Sequence, residues 1–403
     1  MRLWLAALCF GISACVSTPP SATAQTPSET LFSFEPYYLH VSRYWQVGAL
    51  QDRLNAALTA CNLPAGLTVD YEPGRVTAGA IRRLRTCDAF KIEGEENSGA
   101  LTAALWTRLW PDAPLPTLAE RTRVFTFSFE TTDYNEFLWN VGQPGDPYAW
   151  GTWAPFGATI GAGGEIQTIA RAIEARAPGT IAAAFAQASS EPDALDPPHG
   201  WRTEHCANTA HTQPNTSGAT LLLSLTAPWG NATAAERQAL INEFCADDQY
   251  RKWFGAFRAL GDNPVVREAF DTHYATQNRR IVRRLAALYE RRGWTPTEID
   301  WAFFLDRGTQ FTTSESAANA ALDALAPTAT PAQRRLAISR SSLPTQASQR
   351  NLRIARDMAF ILDDPAAAAE LNTEERRLWD YYAKRLASQV GLSDERSVPA
   401  SPF

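Results

Sequence analysis

Leu50, Leu54 and Leu58 recur every fourth position between polar residues, the spacing of one face of an α-helix. The following stretch, "GLTVDYEPGRVTAGAIRRLRTC", predicts a short extended segment, a turn at Pro73 and Gly74, and a second helix with Thr77 as its N-cap. Between Val124 and Glu130 two periods compete. Phe125, Phe127 and Phe129 alternate with Thr126, Ser128 and Glu130 as in a strand, whereas Val124, Phe125, Ser128 and Phe129 share one helical face. After Gly161 most segments carry the helical period, among them "IQTIARAIEAR", "VVREAFDTHYATQNRRIVRRLAALYERRG" and "PTEIDWAFFLDRGTQ". "SSEPDALDPPHG" predicts a loop. The pattern as a whole predicts a mainly α fold of the α+β class.

Composition narrows this reading. A chain of 403 residues suggests two domains, and 45% apolar with 20% charged residues is a globular balance. A net charge of −6 and a pI near 5.5 argue against nucleic acid as a partner. The 13 tryptophans must pack in a core or stack on something such as a sugar face.

"MRLWLAALCFGISAC" joins Arg2 to an apolar stretch and small residues, the pattern of an export signal over 1–14. "ISAC" resembles the lipobox of bacterial lipoproteins, which implies lipidation of Cys15 and a membrane anchor; cleavage after Ala24 would instead release a soluble protein. Either route leads out of the cytoplasm. Residues 15–35, rich in Ser, Thr and Pro, read as a tether. Four further cysteines, Cys61, Cys87, Cys206 and Cys245, imply disulfides in an exported chain, and pairing sequence neighbours would join Cys61 to Cys87 and Cys206 to Cys245. With no Cys-x-x-Cys and no i, i+4 pair among five histidines, neither a metal nor another cofactor is expected.

Leu50, Gln51, Leu54, Asn55, Val69, Asp70, Gly74, Thr77 and Ala80 make residues 36–92 resemble the small three-helix peptidoglycan-binding domain of cell-wall enzymes, with Tyr71 where that family has Gly. The resemblance implies a wall-binding module, and a three-helix spacer without a ligand is the alternative. The charged and Pro-rich residues 93–120 read as a linker, 121–390 as a second domain, and 391–403 as a disordered tail.

The most informative stretch runs from Arg123 to Ile173. Glu130 follows a strongly apolar run, and apolar surroundings raise a carboxyl pKa as a general acid requires. Asp133, Asp146 and Glu165 follow it. Glycosidases use two carboxyls, about 5 Å apart when retaining and roughly 6.5–9.5 Å when inverting. The run "WGTWAPFGATIGAGGEIQ" offers glycines that let a backbone approach a ligand closely.

In this order the chain resembles the lysozyme superfamily, which includes phage-type lysozymes, chitosanases and lytic transglycosylases: a Glu ends a first helix, a Gly-rich β-hairpin with Asp and Thr follows, and a helix then enters the core. The resemblance implies Glu130 as the acid, with Asp146 and Thr152 or Thr159 on the hairpin. "GATIGAGGEIQ" is similar to the Gly-Ala-x-Gly-x-x-Gln run of transglycosylases, which implies that Gln167 lines the cleft. Glu165 beside it is either a substrate contact or, the favoured reading, an acidic cap at a helix N-terminus. Trp139, Tyr148, Trp150 and Trp153 are candidates to stack on sugar rings. "WAFFLDRGTQF" and "LAISRSSLPTQASQRNLRIA" resemble later helices of chitosanase-like wall hydrolases through Phe304, Asp306, Gln310 and Arg340. A buried Asp306 needs a partner, and Arg340 is the candidate for a structural ion pair.

No Gly-x-Ser-x-Gly elbow and no phosphate-binding loop occurs. The sequence therefore predicts a periplasmic, lipid-anchored enzyme that cleaves the β-1,4 glycan of peptidoglycan, by hydrolysis or transglycosylation. The glycan strands and a membrane are the expected partners. A non-catalytic glycan-binding scaffold and a chitosanase-like enzyme on another aminosugar polymer are the alternatives.

Overall fold

A computed structural model describes residues 29–34, 47–70, 74–130, 134–139, 149–161, 165–188, 218–225, 233–246, 249–309, 314–361, 364–386 and 390–403. The protein is mainly helical, with two small antiparallel sheets. No helix among the described residues is long and apolar enough to cross a membrane. The expected signal, Cys15 and most of the tether lie outside them.

The N-terminal part contains α1 (Val47–Ala60), α2 (Arg75–Leu84) and α3 (Ala103–Leu109). Leu50, Leu54 and Leu58 form the buried stripe that their spacing predicts. The residues that carry the resemblance fasten this unit internally. Gln51 donates from Nε2 to Asp70 at 2.7 Å and accepts the Asp70 amide at 3.1 Å, while Asn55 holds the backbone of Gly66 and Leu67. Thr77 is not the N-cap: α2 begins after Gly74, and Thr77 is buried within 3.4 Å of the Gln51 amide nitrogen. Cys61 is disulfide-bonded to Cys87.

Three segments expected to be unstructured carry structure. At the end of the supposed tether, β1 (Thr30–Phe32) pairs antiparallel with β2 (Leu101–Thr102), so β2 and α3 lie in the supposed linker 93–120. Glu95 holds that linker by pairing with the buried Arg85 at 2.6 Å and accepting from Thr102 at 2.8 Å. The supposed disordered tail bridges Thr297 through Ser397, and Val398 donates its amide to Pro296 at 2.7 Å and accepts the Trp301 indole proton. Backbone pairing and ion pairs with distant residues, which leave no local periodicity, order these segments.

The ambiguous run before Glu130 is helical: α4 spans Leu118–Glu130 and is opened by a reciprocal Thr117–Glu120 cap. Next comes the sheet β3 (Phe137–Trp139), β4 (Ala149–Trp153), β5 (Ala158–Gly161), antiparallel in that order. Gly151 is required here, since a Cβ would lie 2.3 Å from the ring of Phe137 on the neighbouring strand. The glycine thus serves internal packing. Helices α5 (Glu165–Arg176), α6 (Thr180–Gln187), α7 (Gly218–Ser224), α8 (Ala234–Cys245) and α9 (Gln249–Asp262) follow.

The long α10 (Pro264–Glu290) starts with Asn263 accepting the Val265 amide and Pro264 in the first turn. Its 27 residues span about 40 Å at 1.5 Å per residue and serve two cores. Val266, Phe270 and Tyr274 pack with the sheet and α5–α9; Val282, Leu285 and Tyr289 pack with α1–α3 and α11 (Glu298–Thr309). The expected N-terminal module therefore shares its core with the helices that follow. A third core joins α13 (Pro331–Ser341), α14 (Ala347–Met358), α15 (Pro365–Ala369) and α16 (Thr373–Leu386), beyond α12 (Glu315–Asp323).

Candidate functional site

Glu130 is the last residue of α4, and β3 begins at Phe137 after it. On the sheet, Thr152 of β4 lies opposite Thr159 of β5. Glu165, the first residue of α5, accepts the Thr159 hydroxyl at 2.7 Å and the Thr159 amide at 3.3 Å. Its carboxylate therefore fastens the hairpin to the helix N-terminus, where negative charge is favoured. Thr152, Thr159 and Glu165 come together; Asp133, Asp146 and Tyr148 lie outside the described residues, and Trp139 and Trp150 hold strand positions on β3 and β4.

Two candidate substrate contacts belong to the core instead. Trp153 is 1% exposed, donates its indole proton to the Tyr134 carbonyl at 2.7 Å, and packs against Phe257 and Phe270. No face remains for a sugar. Gln167 is 0% exposed and neither amide atom has a hydrogen bond, so it lines no open cleft. Its position on the apolar face of α5, beside Ile166 and Ile169, explains the burial.

Tyr134, four residues beyond Glu130, is the junction of this region. Its carbonyl holds Trp153, its ring meets Phe270 edge-on with the Arg267 guanidinium 5.2 Å away, and its hydroxyl donates to Asp271. Gly261 is also required, because a Cβ there would lie 2.0 Å from the Tyr134 carbonyl oxygen. Asp271 pairs with Arg123 of α4 at 3.0 Å, which joins α4 to the segment following Glu130. Burial raises the Asp271 pKa, against the opposing pull of Arg123 and the Tyr134 hydroxyl. Burial likewise lowers the pKa of His273, whose Nε2 is buried without a hydrogen bond, while the nearby Glu165 charge opposes that shift. No spacing in the sequence marks Tyr134, Asp271 or His273; each acts through residues far along the chain.

The later motif residues serve the scaffold. Asp306 is fully buried and accepts from Arg353 and Arg356, and Arg307 donates to Asp357. Arg340 is not its partner: it pairs with Glu375 on α16 at 2.6 Å. Gln310 lies outside the described residues. A second set joins the buried Asp300 and Arg335 to Asp394. Cys245 is disulfide-bonded, and Cys206 lies outside the described residues. Among the described residues no three His, Cys, Asp or Glu side chains gather as a metal site.

Compared with protein families, curated proteins and solved structures, the chain matches none.

Proposed function

We propose that the protein is an exported, lipid-anchored glycosidase that cleaves the β-1,4 glycan of peptidoglycan, as a lysozyme-like hydrolase or a lytic transglycosylase. One observation carries the reading: a helix ending in Glu130 leads into a three-stranded sheet whose Thr159, opposite Thr152, is tied by Glu165 to the head of the next helix. This order of acid, sheet and helix is what that chemistry uses.

In this reading Glu130 gives its proton to the glycosidic oxygen as the bond to the anomeric carbon breaks. In hydrolysis, Asp146 takes a proton from water, whose hydroxide completes the sugar. In transglycosylation, a hydroxyl of the substrate attacks instead and its proton returns to the carboxylate. Tyr134 and Asp271 are positioning residues that hold the chain on both sides of Glu130.

Glu130→Gln should abolish release of soluble muropeptides from purified sacculi and leave sacculus binding intact. A wild-type protein that binds sacculi and releases nothing would sink the enzyme reading in favour of a glycan-binding scaffold. Reducing ends in the products indicate hydrolysis, and anhydro ends indicate transglycosylation.

A further inference from the structure

Between α4 and α10 lies an open cleft of 490 Å³, walled by Glu120 and Arg123 on one side and by Glu268, Asp271, Thr276 and Arg279 on the other. Its chemistry differs from that of a sugar site. No aromatic ring lines it, so the apolar face of a pyranose finds no stacking partner there. Carboxylates and guanidiniums dominate the walls instead.

The α10 wall is bipolar. Glu268 stands at one end and Arg279 at the other, eleven positions apart, which is about 16 Å of helix rise. Arg279 is exposed and forms no hydrogen bond or ion pair among the described residues. Its guanidinium is therefore open to a carboxylate, which it can grip with two parallel hydrogen bonds. The Glu268 side chain is 73% exposed and pairs with the partly exposed Arg176 at 3.2 Å, a surface pairing weak enough for a ligand ammonium to displace. Between them Asp271 and Arg123 pair at 3.0 Å, and Glu120 adds one carboxylate on the α4 side.

We infer that this cleft binds a short zwitterionic peptide, its ammonium toward Glu268 and its carboxylate toward Arg279. An extended chain covers about 3.3–3.6 Å per residue, so four or five residues span the wall. The inference rests on the proposed function for the source of the peptide, free peptides released from the same wall polymer, because an arm still joined to its glycan has its first amino group acylated. Arg123 lies seven positions before Glu130, about 10 Å of helix rise, and Asp271 in the cleft wall holds Tyr134 just beyond it. Peptides freed from a strand seated at the end of α4 would be released beside the cleft.

The test is calorimetric titration of the full chain at low salt with a synthetic pentapeptide bearing free termini, its C-terminally amidated form, and a chito-oligosaccharide. The free-ended peptide should bind best. Arg279→Ala and amidation should each weaken it about tenfold or more, and the amidated peptide should be indifferent to Arg279→Ala. Glu268→Gln should weaken the free-ended peptide similarly and spare its N-acetylated form. Both substituted side chains are exposed, and unchanged melting temperatures will verify the fold. Equal binding of the amidated peptide, no loss in Arg279→Ala, or preference for the oligosaccharide would overturn the inference. Peptides released from sacculi by an amidase should bind as the synthetic free-ended pentapeptide does, and failure to bind would overturn the assignment of source. None of these measurements needs glycan cleavage, so a protein that binds the peptide and cuts nothing refutes the glycosidase reading alone.

Discussion

The lobe around β3–β5 and the C-terminal helices are held together by opposite means. In the lobe, rings do the work: Phe137 stacks on Phe257 at 4.7 Å, Phe156 on Tyr274 at 4.5 Å, and Trp153 wedges between Phe257 and Phe270. Among the C-terminal helices, Asp306, Arg307, Arg353, Arg356 and Asp357 meet with no solvent exposure at all. Ring packing loses stability roughly in proportion to the volume removed. A buried ion-pair cluster is unforgiving, because each charge depends on its partner being present.

The largest effect should therefore come from Asp306→Asn, which leaves the Arg353 and Arg356 guanidiniums buried with less compensation and should cost about 5 kcal/mol by denaturant unfolding. The same residue sets a pH signature. Burial by itself would raise the Asp306 pKa, but Arg356 and Arg353 prevail and hold it below 3.8. Its stabilisation is thus complete above the unfolded-state value and is lost as pH falls through the lower folded one. Asp271 behaves with the opposite sign: its raised pKa means stability falls as pH climbs from 3.8 through the folded value. Melting temperature against pH should show a steeper acid limb in wild type than in Asp306→Asn. Parallel curves would remove Asp306 from the account.

Trp153→Ala should cost about 4 kcal/mol, from lost burial, the cavity left between Phe257 and Phe270, and the freed Tyr134 carbonyl. This loss should be nearly independent of pH, and a pH-dependent loss would break the contrast between the two regions. The smallest effect belongs to Tyr134→Phe, which removes the hydroxyl from Asp271 and should cost about 1–2 kcal/mol. If Tyr134 positions Glu130, this variant should lower muropeptide turnover more than its fraction unfolded accounts for. Activity that simply tracks the folded fraction would make Tyr134 a packing residue.

How far the sequence could be read follows the same division. Local patterns read correctly: the Leu50, Leu54, Leu58 stripe is buried, and Cys61 bonds to Cys87. Where two periods overlapped at Phe125–Phe129, the pattern alone could not choose, and α4 formed with Val124 and Thr126 buried. In the candidate site, the fastening of Thr159 to Glu165 could be anticipated because only six positions separate them. Tyr134 and Asp271 are 137 positions apart, and no local signal links them.

Periodicity and caps act within a turn or two of the chain, so the sequence by itself determined a mainly helical protein, whereas a small sheet after Glu130 is implied only by the resemblance. It also determined that Leu50, Leu54 and Leu58 would face a core. Only the tertiary structure decided that Trp153 and Gln167 are interior, that Asp306 answers to Arg353 and Arg356 rather than Arg340, and that the chain's last residues are held by Thr297 and Pro296. Burial and charge pairing depend on what other segments bring to a position, and no spacing along the chain encodes that.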